Sequence, residues 1–210
     1  MPNLRGWMYD RLIAGMTTEW YCEVLSRLPD RARVLDVGIG TGSALARCAD
    51  LVRAKELRVV GLDIDADYLE RCRRELATAG LFGHVSAELA SVYDHRGGPY
   101  DAVYFSASLM LLPDPAAAVA HVAGQLAPGG QILATQTFQH GRSRLLDRVK
   151  PLIRLVTTIE FGRVTYEDEF RATFADAGVE LVELHTMRST RSSSHRLAVA
   201  HTRTKNHAAA

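Results

Sequence analysis

The sequence predicts an α/β protein with a doubly wound, mostly parallel sheet that ends in an antiparallel hairpin. Short apolar runs alternate along the chain with segments whose apolar residues have helical spacing. This order is typical of a parallel sheet with helices on both faces. The last two apolar runs, VELVELHTM and SHRLAVAHTR, have only a short loop between them. A parallel crossover needs about a dozen residues or more, so these two strands should pair antiparallel.

The first half of the chain contains three predicted helices and three predicted strands. A helix over 7–28 ends before Pro29, which cannot continue it. Asp65 and Gly80 are the N-cap and C-cap expected for the third helix. The helix between the first two strands is predicted over 42–53, and the strands are RVLDVG, 57–65 and 84–90.

The second half continues the same alternation. A fourth strand over 100–107 leads to a helix over 114–127, which begins at Asp114 and stops at a Pro-Gly-Gly turn. A fifth strand follows over 131–138. Thr165 and Asp168 have capping-box spacing and predict the start of a helix over 165–179. The hairpin strands complete a seven-stranded sheet.

The length of 210 residues suits one domain, predicted over 1–203. Between the fifth strand and the next helix, an insertion at about 140–164 carries apolar residues for an acceptor pocket and arginines for an acidic acceptor. We interpret it as a lid, the alternative being an amphipathic helix pair with a solvated basic face. The tail over 204–210 is predicted to be disordered, and its last alanines are interpreted as an expression scar.

Composition excludes several classes of function. The net charge of +1 gives no basic footprint for nucleic acid. No apolar run approaches the roughly 20 residues of a membrane helix, and no signal peptide is visible. Cys22, Cys48 and Cys72 are far apart without metal-ligand spacing, which predicts reduced thiols, a cytoplasmic location and no metal site.

The segment VLDVGIGTGSAL, residues 34–45, joins the first strand to a helix through three glycines. Gly38, Gly40 and Gly42 permit close approach of a ligand to the backbone. Helix N-termini add amide donors, and ligands of doubly wound sheets bind beyond the carboxyl ends of the strands. The turn therefore predicts a nucleotide-like ligand.

Asp63 ends the second predicted strand and follows Gly38 by 25 residues (63 − 38). A carboxylate at this place can accept hydrogen bonds from both hydroxyls of a ribose. Ile64 beside it can cover one face of a purine. The alternative for Asp63 is a helix cap, a position that Asp65 fits better.

Two observations argue against a dinucleotide. Ser43 stands where the third glycine of G-x-G-x-x-G is expected. Asp36, two residues before the first glycine, would repel a pyrophosphate. A ligand with an ammonium group and no phosphate fits better, and S-adenosylmethionine is such a ligand.

The ordered set of motifs resembles the class I S-adenosylmethionine-dependent methyltransferases over roughly residues 8–200. The matching segments are VLDVGIGTG, VVGLDID, YDAVYFSASLMLLPDP, LAPGGQILATQTF and TYEDEFRATFADAGVELVEL. The resemblance implies a Rossmann-like fold, S-adenosylmethionine as cofactor and S-adenosylhomocysteine as product. It also implies that Asp36 and the three glycines hold the amino-acid end, Asp63 the ribose and Ile64 the adenine.

Three cofactor contacts follow the family pattern less closely. Ser91 and Val92 are the residues expected to bind the adenine edge, at a position where the family often has an acidic residue. Glu88 and Asp94 are the alternative acceptors. Ser106, after the fourth strand, is expected to border the methionine part or to be a plain strand-end serine. Tyr9 resembles a family tyrosine that closes over the cofactor, and a core aromatic is its alternative.

His140 is the candidate general base, since histidine titrates near neutral pH. A surface histidine is its alternative, and His95 and His121 are weaker candidates. The predicted function is methyl transfer to a small, acidic or lipid-like acceptor by a monomer or homodimer. A protein or RNA methyltransferase and a non-catalytic cofactor-binding subunit are the alternatives, as is peripheral membrane contact of the basic insertion.

Overall fold

The computed structural model describes residues 4–140 and 165–202, with side chains from residue 15 onward. The tail over 204–210 and nearly all of the predicted lid over 140–164 lie outside the described residues. Within the described ranges, the α-helices α1 to α6 and seven strands alternate as the sequence predicts, except that one predicted helix is divided in two. The helices are α1 Leu4–Arg27, α2 Ser43–Arg47, α3 Ala49–Ala54, α4 Ala66–Thr78, α5 Pro115–Ala123 and α6 Glu167–Asp176.

The seven strands form one sheet in the order β3-β2-β1-β4-β5-β7-β6. The strands are β1 Arg33–Val37, β2 Arg58–Asp63, β3 Val85–Leu89, β4 Tyr100–Ser106, β5 Leu126–Gln139, β6 Val179–Ser189 and β7 Ser193–Thr202. The first five are parallel, and β7 pairs antiparallel with both β5 and β6. The predicted fold class and terminal hairpin are confirmed.

The strand order reverses between β1 and β4, the two central neighbours. Asp36 of β1 is in register with Tyr104 of β4, so their carboxyl ends open at the same edge. A crevice at this switch point is the place where doubly wound sheets bind ligands. The topology therefore places the glycine turn after β1 at the expected site.

A separate apolar core covers each face of the sheet. Val34 of β1 packs in the core that holds side chains from α1 to α4. Its neighbour Leu35 packs in the opposite core, with side chains from α5 and α6. Successive residues of a strand point to opposite faces, so a continuous apolar run is what a sheet covered on both sides requires.

The helix predicted over 42–53 is divided into α2 and α3 at Cys48. Cys48 has φ −97° and ψ 19°, outside the α-helical region. It forms a disulfide with Cys22 of α1, and the two Cα atoms are 5.9 Å apart. The prediction of three reduced thiols was therefore wrong for this pair, while Cys72 is free and buried. The cysteines no longer support a cytoplasmic location, which stays a prediction.

The capping box predicted at the start of α6 was also wrong. Tyr166 occupies the N-cap position, and its side chain makes no capping hydrogen bond. Thr165 instead bridges to Phe138, and its hydroxyl accepts a hydrogen bond from Gln136 at 2.9 Å. The predicted caps Asp65 and Asp114 are confirmed, since each accepts hydrogen bonds from first-turn amides.

Candidate functional site

The turn after β1 depends on glycine for its backbone conformation. Gly38, Gly40 and Gly42 have φ values of 82°, 58° and 66°, in the left-handed region that favours glycine. A Cβ atom on Gly38 would also lie 2.7 Å from Cβ of Ser108. Ser108 closes the turn from behind by donating a hydrogen bond to the carbonyl of Val37. Its role was missed, because nothing in sequence spacing links it to Gly38.

The amides of the glycine turn are directed into the protein. Gly38 and Ile39 both donate to the carbonyl of Leu62, at 2.8 and 3.0 Å. Gly40 donates to Oδ2 of Asp63 at 2.9 Å, and Gly42 to the carbonyl of Ile39 at 3.1 Å. A phosphate-binding loop presents such amides to its anion. The three glycine amides are thus engaged within the protein, while the glycines still allow a ligand to approach the backbone closely.

Asp36 lies beneath this turn and is 1% exposed. Its Oδ2 accepts a hydrogen bond of 2.8 Å from the hydroxyl of Tyr21. Its Oδ1 is buried and has no hydrogen-bond partner among the described residues. Burial raises the pKa of Asp36 to about 7, the hydrogen bond from Tyr21 opposes the rise, and the charge of Asp63 adds to it. A ligand ammonium would give Oδ1 the partner it lacks.

Asp63 connects the turn to the neighbouring strand. Its Oδ2 accepts from the amide of Gly40, and its Oδ1 accepts from the amide of Asp65 at 3.0 Å. These two bonds fix the plane of the carboxylate at the carboxyl end of β2. Each carboxylate oxygen accepts about two hydrogen bonds, so both retain capacity for a ribose hydroxyl.

The adenine side of the candidate site lies next to Asp63. Ile64 is 79% exposed, which leaves an apolar surface free at the edge of the sheet. The amide of Ala90 donates to the carbonyl of Asp63 at 3.0 Å and places Ser91 and Val92 directly beside it. The Ser91 hydroxyl accepts from the amide of Tyr93 at 3.3 Å, and the Val92 side chain is buried.

The two alternative acidic acceptors have other surroundings. A carboxylate oxygen of Glu88 lies 3.8 Å from Nδ1 of His95. Asp94 belongs to the turn after β3, where its amide donates to the carbonyl of Ser91. Ser91 and Val92 follow Ala90, whose amide is bonded to Asp63. This position favours them over Glu88 and Asp94 as the residues next to the adenine edge.

The remaining predicted residues are more dispersed. Ser106 ends β4, and its hydroxyl is buried without a hydrogen-bond partner in the described part of the chain. Tyr9 lies in α1, at a position whose side chain is outside the described part. The structure thus brings together Asp36, the three glycines and Asp63, with Ser106 at the end of the adjacent strand.

His140 follows the end of β5 and is exposed. Ser106 is in register with Thr135, so His140 lies five residues further along. At about 3.3 Å per residue, that is roughly 17 Å beyond the level of Ser106. A cavity of about 340 Å³ adjoins it, lined by Phe138, Gln139, His140, Tyr166, Glu167, Asp168 and Arg196. The structure therefore separates the candidate base from the glycine turn.

The described side chains, those of residues 15–140 and 165–202, contain no group of three or more His, Cys, Asp or Glu arranged to hold a metal ion. No helix in these ranges is long and apolar enough to cross a membrane.

The chain is similar to known methyltransferases. A family model described as a methyltransferase domain matches residues 34–130. A ubiquinone biosynthesis O-methyltransferase of Thiobacillus denitrificans is 31% identical over 162 residues, which are 74% of this chain and 67% of that protein. A trans-aconitate 2-methyltransferase of Deinococcus radiodurans is 33% identical over 124 residues, 57% of this chain and 45% of that protein.

A solved structure shows the same fold. It is an S-adenosylmethionine-dependent methyltransferase from Thiobacillus denitrificans in complex with S-adenosylhomocysteine, with a TM-score of 0.66 and 17% identity. The match covers 90% of this chain and 91% of that one.

Fold, glycine turn and relatives together define an enzyme of the methyltransferase class. The chain belongs to the class I S-adenosylmethionine-dependent methyltransferases, and S-adenosylmethionine is its cofactor. It spans 67% of the length of the ubiquinone-biosynthesis relative and 45% of the trans-aconitate relative.

Proposed function

We propose that the protein transfers the methyl group of S-adenosylmethionine to a small organic acceptor by in-line displacement. The observation that carries this proposal is the buried Oδ1 of Asp36, which has no partner among the described residues and lies beneath a turn whose glycine amides are already used. That arrangement suits a nucleoside with an ammonium and no phosphate. An acidic or lipid-like acceptor is supported by relatives named for trans-aconitate and for ubiquinone biosynthesis.

The same residues support a specific placement of the cofactor. Asp36 holds the ammonium directly or through water, while Gly38, Gly40 and Gly42 let the amino-acid end approach the backbone. Asp63 accepts from both ribose hydroxyls, the exposed Ile64 covers the adenine, and Ser91 and Val92 bind its edge. Ser106 borders the methionine part, and Tyr9 closes over it.

The protein contributes binding and orientation to the reaction. S-adenosylmethionine supplies, when bound, a methyl group already activated by its sulfonium. Asp36 and Asp63 lie on adjacent central strands, so they fix the two ends of the cofactor relative to one another. Alignment of reacting groups in this way lowers the barrier by several kcal/mol, and about 7–11 kcal/mol in ideal cases.

His140 is proposed as the general base, which only an alcohol or phenol acceptor would need. If His140 takes the acceptor proton, His140→Ala should lower turnover about a hundredfold while the affinity for S-adenosylmethionine stays unchanged. Initial rates at saturating cofactor and acceptor measure the effect. The half-buried His201 near the opposite end of β7 provides a control, His201→Ala, with wild-type turnover. A decrease of less than about threefold would remove His140 from the mechanism.

A methyl-transfer screen tests the proposed function. Purified protein is incubated with S-adenosylmethionine carrying a deuterated methyl group and with fractionated small metabolites, peptides and RNA. Mass spectrometry should find a labelled small molecule that is absent with Asp63→Ala. Labelled peptide or RNA would favour the corresponding alternative, and cofactor binding without any labelled product would favour a non-catalytic subunit.

A further inference from the structure

Tyr21 of α1 and Asp36 of β1 form a buried pair beneath the glycine turn. Tyr21 is 3% exposed, and its hydroxyl donates to Oδ2 of Asp36 at 2.8 Å. Its ring packs edge-on against Tyr104, with 5.1 Å between the ring centroids and 86° between the planes. Aromatic packing of this kind holds a ring in one orientation. The position of the hydroxyl, and with it the rotamer of Asp36, is therefore determined by the core.

Among the described residues, only Oδ2 of Asp36 has a hydrogen-bond partner. Oδ1 is buried and lacks a partner among the described residues. Buried polar atoms are almost always hydrogen-bonded, and an unsatisfied one in a native structure points to a missing water, ion or ligand. A buried carboxylate oxygen is an acceptor, so the missing group is a donor, and a cationic one gives the strongest hydrogen bond.

Among the described side chains, the titratable groups that face Asp36 supply no cation. They are Tyr21 on α1, Asp63 on β2, Cys72 on α4 and Tyr104 on β4. The Tyr104 hydroxyl is engaged with Thr135 at 2.8 Å. Burial raises the pKa of the Cys72 thiol to about 11, so it is neutral. No arginine or lysine in the described residues forms an ion pair with Asp36.

We propose that Tyr21 is a positioning residue of the cofactor site. Its hydroxyl holds Oδ2 of Asp36 and leaves Oδ1 for the ammonium of the cofactor. Binding of this ammonium drives ionisation of Asp36. The inference rests on the proposed placement of the amino-acid end over the turn. In this arrangement Tyr21 acts through Asp36 and does not itself touch the cofactor.

A pH dependence of cofactor affinity follows from the pair. Burial raises the pKa of Asp36 to about 7, and the hydrogen bond from Tyr21 opposes that rise. Below the pKa, the carboxyl group must lose a proton when an ammonium binds, and above it no proton is lost. Affinity should therefore increase with pH, by at most about tenfold per unit, and begin to level near pH 7. Without the Tyr21 hydroxyl, the pKa of Asp36 rises further, so the pH at which the affinity stops increasing should be higher.

The experiment compares two ligands that differ in the amino-acid end. S-adenosylhomocysteine has the ammonium, whereas 5′-methylthioadenosine has the adenosine part alone. Both are titrated calorimetrically into the full chain between about pH 5.5 and 7.5, where the ammonium of S-adenosylhomocysteine stays charged because its own carboxylate stabilises it. Wild-type protein should bind S-adenosylhomocysteine at least about tenfold more tightly at the upper pH, and methylthioadenosine equally throughout.

Tyr21→Phe keeps the packed ring and removes the hydroxyl. It should weaken S-adenosylhomocysteine binding about tenfold at pH 7, make affinity still rise at pH 7.5, and leave methylthioadenosine binding unchanged. Tyr104→Phe removes a neighbouring buried hydroxyl that bonds Thr135, and should leave the pH profile as in wild type.

Three outcomes overturn the inference in distinguishable ways. A flat pH profile of wild-type affinity for S-adenosylhomocysteine refutes the coupling to ionisation. Equal weakening of both ligands by Tyr21→Phe shows a merely structural role. Failure of both ligands to bind the folded wild-type protein rejects the proposed cofactor site itself, whereas binding of both without a pH effect leaves that site intact and removes only the coupling to ionisation.

Discussion

Replacement of Asp63 with alanine should weaken the binding of S-adenosylmethionine at least about a hundredfold. The variant loses the acceptor of two ribose hydroxyls, and hydrogen bonds to a charged group contribute about 1.5–3 kcal/mol each. It also releases the amides of Gly40 and Asp65, which the carboxylate now holds at 2.9 and 3.0 Å. Calorimetric titration with S-adenosylhomocysteine measures the affinity without turnover.

Asp65→Ala is the matched control, since it removes a carboxylate two residues away. Asp65 caps α4 by accepting from the amides of Asp67 and Tyr68. Its loss should cost about 1 kcal/mol of the free energy of unfolding and change cofactor affinity less than about threefold. Equal affinities of Asp63→Ala and wild type would show that the cofactor does not bind at the end of β2.

Replacement of Asp36 with asparagine should make the protein more stable at pH 8 and at the same time impair cofactor binding. The folded-state pKa of about 7 is above the ordinary 3.8. Asp36 therefore contributes stability that is fully present below about pH 3.8 and is lost progressively as pH rises from there to about 7, a loss of up to about 4 kcal/mol. Asparagine is neutral throughout and still accepts from Tyr21, so it avoids this loss but cannot pair with an ammonium.

Urea unfolding at about pH 5.5 and pH 8 checks the stability part. Asp36→Asn should exceed wild type by roughly 2 kcal/mol at the lower pH and by up to about 4 kcal/mol at the higher, because the loss in wild type accumulates between pH 3.8 and about 7. Affinity for S-adenosylhomocysteine at pH 7.5 should fall about a hundredfold, while methylthioadenosine binding is retained. Lower stability of the variant at pH 8 would contradict the account, because it would mean that the folded protein already compensates the charge on Asp36. A gain in stability with loss of binding is expected where a buried charge destabilises the free protein but is needed to bind the ligand.

The sheet and the central contacts of the site follow from local sequence signals. The strand and helix patterns are strong in the parallel region because each strand is buried on both faces and reads as an apolar run. Asp36, Gly38 and Asp63 lie at strand ends, so the connectivity alone brings them to one edge. The confirmed hairpin of β6 and β7 follows similarly, because its loop is too short for a crossover.

The contacts that the sequence did not reveal all join residues distant in the chain. Tyr21 and Asp36 are 15 residues apart, and Cys22 and Cys48 are 26 apart on packed helices. Such pairs depend on the angle at which α1 lies on the sheet, which no spacing rule specifies. The capping box at Thr165 failed for a similar reason, since the Thr165 side chain bonds Gln136 of β5 instead of the helix.

The central claim is that this chain binds S-adenosylmethionine at the carboxyl edge of β1 and β2. Calorimetric titration of the folded wild-type chain with S-adenosylhomocysteine, repeated with Asp63→Ala, tests it most directly. The account predicts one saturable site per chain in wild type and at least about a hundredfold weaker binding in the variant. Absence of binding to wild type at millimolar ligand, or an affinity unchanged by Asp63→Ala, would contradict it.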